Sequence, residues 1–232
     1  FRRGMAEEVN RVVTDRLSDL LFCPTREAIA NLAAEGRTDV HMVGDVMLDA
    51  FHHARFRGDT TILSSYGLDA GGYALATIHR AESTDDAERL RQLFDGLSGF
   101  SRKLPVILPL HPRTRNAMRE EGIEVASSVK IVDPVSYLTM VALLTSAGVV
   151  ATDSGGLQKE ASMAGVPCVT LRDETEWVET VASGWNRLPE LTAPGIEAAL
   201  HAALEKPDCP PPGYGDGDAA GKILGHIAGW RS

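Results

Sequence analysis

Short apolar runs of strand character alternate along this chain with longer stretches of helical period, and that alternation is the form taken by βαβ units around a mainly parallel sheet. The runs lie at residues 20–23, 40–43, 73–78, 106–110, 129–132, 148–152 and 167–171. Several carry the β-branched residues that suit a pleated surface, and their shortness and apolarity predict burial on both faces. Helices are read between them. Val9, Val12, Val13, Leu17, Leu20 and Leu21 recur at three-to-four spacing, so residues 8–20 should form an amphipathic helix. Thr25 should cap a helix that stops at Gly36, and Ser83 or Thr84 should cap one whose first turn holds Asp85 and Asp86. Turns are expected at Gly58-Asp59 and Gly71-Gly72. Residues 194–204 read as a helix, 207–217 as a Pro-, Gly- and Asp-rich loop, and 219–230 as a terminal helix. The fold class is therefore α/β: a Rossmann-like parallel sheet with helices on both faces.

Composition narrows the partners. At 232 residues and 44% hydrophobic the chain has enough apolar material for a large core. A net charge of −9 argues against nucleic acid, since neutralising many phosphates needs a surplus of Lys and Arg on one face. Cys23, Cys168 and Cys209 are odd in number and widely spaced, which suggests neither a disulfide framework nor a zinc site and fits a reducing cytoplasm. No apolar run approaches the ~20 residues of a membrane helix, so no membrane partner is expected. The chain opens on Phe1, and we expect it to begin inside a larger protein.

The chemistry concentrates where strands end. Residues 148–161, Gly-Val-Val-Ala-Thr-Asp-Ser-Gly-Gly-Leu-Gln-Lys-Glu-Ala, run from a buried strand straight into a helix through Ser154-Gly155-Gly156. Glycines let the backbone approach a phosphate, and the unpaired N–H groups of a first helical turn point at it with the favourable end of the helix dipole behind them. A tight capped turn is the alternative reading. Glu160, one to two turns further on, is within reach of a ribose hung from that phosphate, where a carboxylate accepts sugar hydroxyls. Arg172 leaves the next strand and should meet either the phosphate or one of Asp173, Glu174 and Glu176. His79, Arg80 and Glu82 leave the third strand together, and His111-Pro112-Arg113 the fourth. His79 is suited to a phosphate or a proton near neutral pH, or is merely hydrogen-bonded, whereas His111 and Arg113 are aimed at the crevice or its rim or serve the turn alone. At Asp133-Pro134 and Tyr137 a strand end meets a helix entry, where an aromatic reads a base or simply packs. No carboxylate or cysteine accompanies His52-His53 at ligand spacing, and no metal site is expected.

These segments, taken in order, resemble one family. Met5-Ala-Glu-Glu-Val-Asn-Arg11, Ser-Asp-Leu-Leu-Phe-Cys-Pro-Thr at 18–25, Val43-Gly-Asp45, His79-Arg-Ala-Glu-Ser83, the Asp-Ser-Gly-Gly-x-Gln-x-Glu block at 153–160 and Leu171-Arg-Asp-Glu-Thr-Glu176 are similar to the non-hydrolysing UDP-N-acetylglucosamine 2-epimerases. The resemblance implies the C-terminal half of a glycosyltransferase-B type two-domain architecture. Residues 1–20 would then link from an N-terminal domain, and 21–232 would form the nucleotide-binding domain with its C-terminal helix. It further implies interconversion of UDP-N-acetylglucosamine and UDP-N-acetylmannosamine by elimination and re-addition of UDP, without a cofactor, in a homodimeric full-length protein. By the same resemblance Ser154, Gly155 and Gly156 hold phosphate, Glu160 holds ribose and Arg172 lies on the nucleotide side. Glu7 is an acid/base group, and Arg11 and His79 steady the departing UDP. Arg80 and His111 match positions linked to a second, activating UDP-sugar. Two departures stand out: Ala6 where proline is common, and Trp177-Val178 in place of Arg-Pro. A hydrolysing epimerase, a related glycosyltransferase and a silent UDP-sugar binding module are the competing expectations. The chain alone is expected to grip UDP without epimerising it.

Overall fold

The computed structural model describes residues 6–58 and 61–230, with the side chains of Ala6 and Glu7 excepted. Met5 and Asp59, each part of a segment singled out above, therefore lie outside the described residues. The chain divides into two compact units, residues 1–53 with 214–232 and residues 54–213, the division falling inside a helix.

The first unit opens with helix α1 (Ala6–Leu17), followed by strand β1 (Leu21–Cys23), helix α2 (Arg26–Ala34), strand β2 (Val40–Met42) and helix α3 (Val46–Arg57), within which the division falls. β1 and β2 pair in parallel, Leu21 opposite Val40. Thr25 caps α2 as expected, its hydroxyl accepting the Ala28 N–H at 3.2 Å. The last helix of the chain, Ala219–Trp230, returns to this unit, and its start is capped from a distance. The Asp49 carboxylate on α3 accepts the N–H of Ala219 at 3.1 Å and of Ala220 at 2.8 Å. A carboxylate at that end also meets the helix dipole favourably. Nearby, the backbones at Gly44 and Gly215 cross so closely that a Cβ on Gly215 would stand 2.9 Å from the Gly44 Cα, and both glycines have positive φ.

The second unit is a six-stranded parallel sheet with its helices. In chain order it runs α4 (Thr61–Ser65), β3 (Ala74–Thr77), α5 (Ala81–Thr84), α6 (Ala87–Phe100), β4 (Val106–Pro109), α7 (Pro112–Glu120), β5 (Val129–Val132), α8 (Tyr137–Thr145) and β6 (Val149–Thr152). It continues through α9 (Gly155–Ala164), β7 (Cys168–Thr170), α10 (Val178–Ala182), β8 (Asn186–Arg187) and α11 (Ala193–Ala203), while the terminal helix of the first unit is α12. The strand order is β5-β4-β3-β6-β7-β8. The expected α/β class with a parallel sheet is what the chain adopts. Three local expectations change, the first being the opening helix expected over residues 8–20, which ends at Leu17 and leaves Leu21 to β1. Ser83 and Thr84 lie inside the four-residue α5, and α6 is capped by Asp86, whose carboxylate accepts the Arg89 N–H at 3.0 Å. An Asp directly before the apolar period is the better-placed acceptor. The edge strand β8, two residues of polar sequence, carried no strand signal.

Alternation along the strands packs both faces. Ala74, Ala76, Val106, Leu108, Val149 and Ala151 join Leu93, Phe94 and Leu97 of α6 and Ile196 and Leu200 of α11 in one cluster. Leu75, Ile107 and Val150 point the opposite way and are equally buried. Helices α6 and α11 approach closely because α6 presents glycines to its partner. A Cβ at Gly96 would stand 2.8 Å from the Ile196 Cβ, and one at Gly99 would stand 2.2 Å from Glu197 Oε2. Among the described residues no helix is long and apolar enough to cross a membrane.

This contact reverses an ordinary helix rule. Gly→Ala in a helix interior normally gains about 0.5–1 kcal/mol, and Gly225→Ala in α12, where nothing lies within 4 Å, should show that gain in urea unfolding. Gly96→Ala should instead lose about 1–3 kcal/mol by overpacking against Ile196.

Candidate functional site

The crevice of an open parallel sheet lies beyond the carboxyl ends of its strands, at the point where strand order reverses. Here that point is the pair β3 and β6, because β4 and β5 extend the sheet on one side and β7 and β8 on the other. The pairing is in register from Ala74 opposite Val149 to Thr77 opposite Thr152, so the two strands end level. The Thr77 and Thr152 hydroxyls, 2.6 Å apart, bridge that end.

From β6 the chain passes through Asp153 into Ser154 and α9. Ser154 is the N-cap, its hydroxyl accepting the Leu157 N–H at 3.4 Å and its carbonyl the Gln158 N–H at 3.1 Å, while its own N–H goes to Thr152 Oγ1 at 2.9 Å. Among the described residues the N–H groups of Gly155 and Gly156 have no acceptor. They are the open donors of the helix tip. Glu160, on the same helix, is 6% exposed, and its Oε1 accepts the Tyr137 hydroxyl at 2.7 Å. Burial pushes this carboxyl above its ordinary value, against the lowering effect of the Tyr137 hydrogen bond.

Arg172 follows β7. It is 9% exposed, donates from Nη1 to Glu176 Oε2 at 2.8 Å, and keeps a buried Nε with no acceptor among the described residues. The acidic partner weighed from the sequence is thus Glu176. Its other oxygen lies against the helix tip, where a Cβ on Gly155 would meet it at 2.2 Å. Burial works to raise the Glu176 carboxyl, but its own main-chain N–H, the Arg172 guanidinium and the field of Arg80 outweigh it and hold it low. Trp177 closes the same loop: its indole N–H donates to the Gly155 carbonyl at 2.7 Å, and the Lys159 ammonium lies 4.4 Å from its ring centre. Thr175 anchors the loop to the buried Gln158 at 2.6 Å.

From β3 come His79 and Arg80. Asp153, fully buried, accepts both of their main-chain N–H groups on Oδ2, at 2.9 and 2.8 Å, and His79 Nδ1 lies 3.0 Å from Oδ1, off the line of a straight hydrogen bond. The Asp153 contact raises the His79 pKa, against burial and the charge of Arg80. His111, after β4, caps α7 with Nδ1 accepting the Arg113 N–H at 3.2 Å, and its ring centre is 6.3 Å from that of His79.

The second unit therefore brings together Ser154, Gly155, Gly156, Glu160, Arg172, His79, Arg80 and His111. Glu7 and Arg11 belong to α1 in the first unit. The Glu7 side chain lies outside the described residues, and Arg11 is held by Glu35, Glu8 and Asp15, at 2.7, 3.3 and 2.9 Å, of which Glu35 and then Glu8 raise its pKa further. Sequence reasoning passed over Asp153, Glu176 and Trp177 as site residues. An acidic residue set between a buried strand and a capped helix was the available signal for Asp153, since a carboxylate there needs several donors.

The chain is similar to known proteins along nearly its whole length. The family described as UDP-N-acetylglucosamine 2-epimerase matches residues 1–228. A Pseudomonas aeruginosa UDP-2,3-diacetamido-2,3-dideoxy-D-glucuronate 2-epimerase is 44% identical over 98% of this chain and 65% of its own length. A Methanococcus maripaludis UDP-N-acetylglucosamine 2-epimerase is 37% identical over 98% of this chain and 65% of its own. The chain thus spans just under two thirds of these curated relatives. Among solved structures, Methanocaldococcus jannaschii UDP-GlcNAc 2-epimerase in complex with UDP-GlcNAc and UDP superposes with a TM-score of 0.83 at 33% identity, over 98% of this chain and 66% of that one. With a match across nearly its whole length and a sheet of the glycosyltransferase-B kind, the chain belongs to the UDP-N-acetylglucosamine 2-epimerase family.

Proposed function

We propose that this chain supplies the UDP-gripping part of a sugar-nucleotide 2-epimerase that interconverts UDP-N-acetylglucosamine and UDP-N-acetylmannosamine. The observation that carries the reading is the tip of α9: the unpaired amides of Gly155 and Gly156, with the buried Arg172 beside them, at the reversal of strand order. The carboxylate of Glu176 already lies against this tip and is held low by its own main-chain N–H and by Arg172, so the tip is suited to a negative charge. A diphosphate arriving there takes over Arg172 and meets its free Nε.

The remaining roles are those the family resemblance implies, and each group has the donors or acceptors they require. Ser154, Gly155 and Gly156 hold phosphate oxygens. Glu160 accepts ribose hydroxyls on the oxygen that Tyr137 leaves free. His79 donates to the diphosphate, and Arg80 and His111 stand at the rim, where a second UDP-sugar would bind. In the reaction the C2 proton is removed, the C1–O bond breaks with its electron pair leaving on UDP, and UDP adds back after the proton returns to the other face of C2. Glu7 is proposed as an acid/base group for that proton traffic and Arg11 as a stabiliser of departing UDP. The two named relatives differ in their sugar, and Trp177-Val178 stands where the loop after β7 enters α10. The residues of the relatives that this chain does not span are taken to complete the sugar side. A homodimer of the full-length protein and a cytoplasmic location, in keeping with the free Cys23, Cys168 and Cys209, belong to the same proposal.

Calorimetry with UDP tests the grip directly: the 232-residue chain should bind UDP, and Arg172→Ala should weaken it about ten- to a hundredfold, the scale of a hydrogen bond to a charged group. No heat with UDP would remove the reading. The same chain should yield no UDP-N-acetylmannosamine from UDP-N-acetylglucosamine, and turnover comparable to a full-length relative would refute that division of labour.

Glu160 predicts a pH effect. Its folded pKa is raised, so its contribution to stability is fully present below the unfolded value and is lost as pH rises through the folded one. Tyr137→Phe removes the hydrogen bond that restrains this shift. The Glu160 titration, followed by carboxyl NMR, should move to higher pH, and urea midpoints should show the loss of stability displaced the same way. An unmoved titration would mean that Tyr137 does not act on Glu160.

A further inference from the structure

We propose that Asp153 is a positioning residue for His79, holding the imidazole with Nδ1 turned into the protein so that Nε2 is the atom presented to an anionic ligand. The inference rests on the UDP-binding reading for the identity of that anion, and on the geometry of β3 and β6 for everything else.

Asp153 is fully buried where a carboxylate is costly unless several donors meet it. Two of those donors are the consecutive main-chain N–H groups of His79 and Arg80, both on Oδ2. They fix the Cα positions at the exit of β3. Oδ1 has no well-aligned hydrogen bond among the described residues and faces the His79 ring, with Nδ1 at 3.0 Å off the straight line, so a small turn of the ring completes the bond. One side chain thus sets both the backbone and the ring of the histidine. A carboxylate against one ring nitrogen selects the tautomer that carries its proton there, which leaves the other nitrogen outward. When the ring takes a second proton, that proton sits on Nε2 and is available to a phosphate oxygen as a charge-assisted donor. The charged and titratable groups around His79 are Asp153 from β6, Arg80 on its own loop, which opposes protonation, and His111 from β4, with ring centres 6.3 Å apart. The His79 side chain is 43% exposed, so the ring is open to a ligand while its anchor is not.

A purely structural Asp153 would join the ends of β3 and β6 and do nothing to the ring. Asp153→Asn separates the two roles. Its amide oxygen still accepts the two main-chain N–H groups, while its NH2 faces Nδ1 and donates to it, which forces the proton onto Nε2 of a neutral ring. The experiment is long-range 15N–1H NMR of the histidines in the 232-residue chain, with and without UDP. The wild type should show the Nδ1–H tautomer of neutral His79 and a titration midpoint above the ordinary histidine value, and UDP should shift the His79 signals. Asp153→Asn, with the fold confirmed by its amide spectrum, should show the Nε2–H tautomer and a protonation constant lower by about tenfold or more, one pKa unit. At a pH where the wild-type ring is protonated and the variant ring is not, UDP affinity should fall in that variant relative to wild type, and the same Asp153→Asn change made in a His79→Gln background should cause no further fall. An Nε2–H tautomer in the wild type overturns the proposal, and needs no variant to fold. An equal loss of UDP affinity with and without His79 also overturns it, because Asp153 would then act through the strands alone. If the tautomers behave as stated but UDP leaves His79 unmoved, the UDP reading falls and the hold of Asp153 on the ring stands.

Discussion

The parallel pairing of β3 with β6 is the constraint on which the site depends. Their register ends both strands at one level, Thr77 beside Thr152, so the chain leaves the sheet twice at the same place. One exit delivers His79 and Arg80, the other Asp153 and the tip of α9. Because the strands before and after this pair extend the sheet in opposite directions, no crossover covers the opening between them. Asp153 turns that adjacency into a fixed geometry, since its buried charge is tolerable only while the donors of the β3 exit remain on it.

Rigidity beneath the site comes from packing that leaves little slack. Both faces of β3, β4 and β6 are buried, and α6 lies against α11 at glycine-lined distance. On such a base the polar groups need few contacts of their own. The loop from Arg172 to Trp177 is held by Thr175 on Gln158 and by the indole on the Gly155 carbonyl, and it lays Glu176 across the helix tip. Under the proposed reading, an acidic protein holds a diphosphate without a basic surface, because two amides, a helix end and one buried guanidinium act on it at short range.

Much of this was legible in the residues themselves. The run from Gly148 to Ala161 shows a buried strand, a small-residue turn and a helix, and the structure forms them with Ser154 as the cap. The placing of Arg172 and of His79 with Arg80 at strand exits was equally readable from the strand ends before them. The loop acid that Arg172 chooses was not, because Asp173, Glu174 and Glu176 are equivalent until the loop is closed over α9. The capping of α6 by Asp86 in place of Ser83 or Thr84 depended on a short preceding helix that four residues of sequence do not announce.

By itself, then, the sequence determined the class of fold and the chemistry offered at each strand end, because periodicity, caps and glycines act over a few residues. Only the tertiary structure decided which strand ends meet. The contact between His79 and Asp153 spans 74 positions and the one between Tyr137 and Glu160 spans 23. The grouping of β1 and β2 with both ends of the chain likewise appears only when α12 returns and Asp49 caps it. Strand order and long-range caps are settled by competition among packed surfaces that no local pattern records, and that competition places a buried carboxylate behind an exposed imidazole.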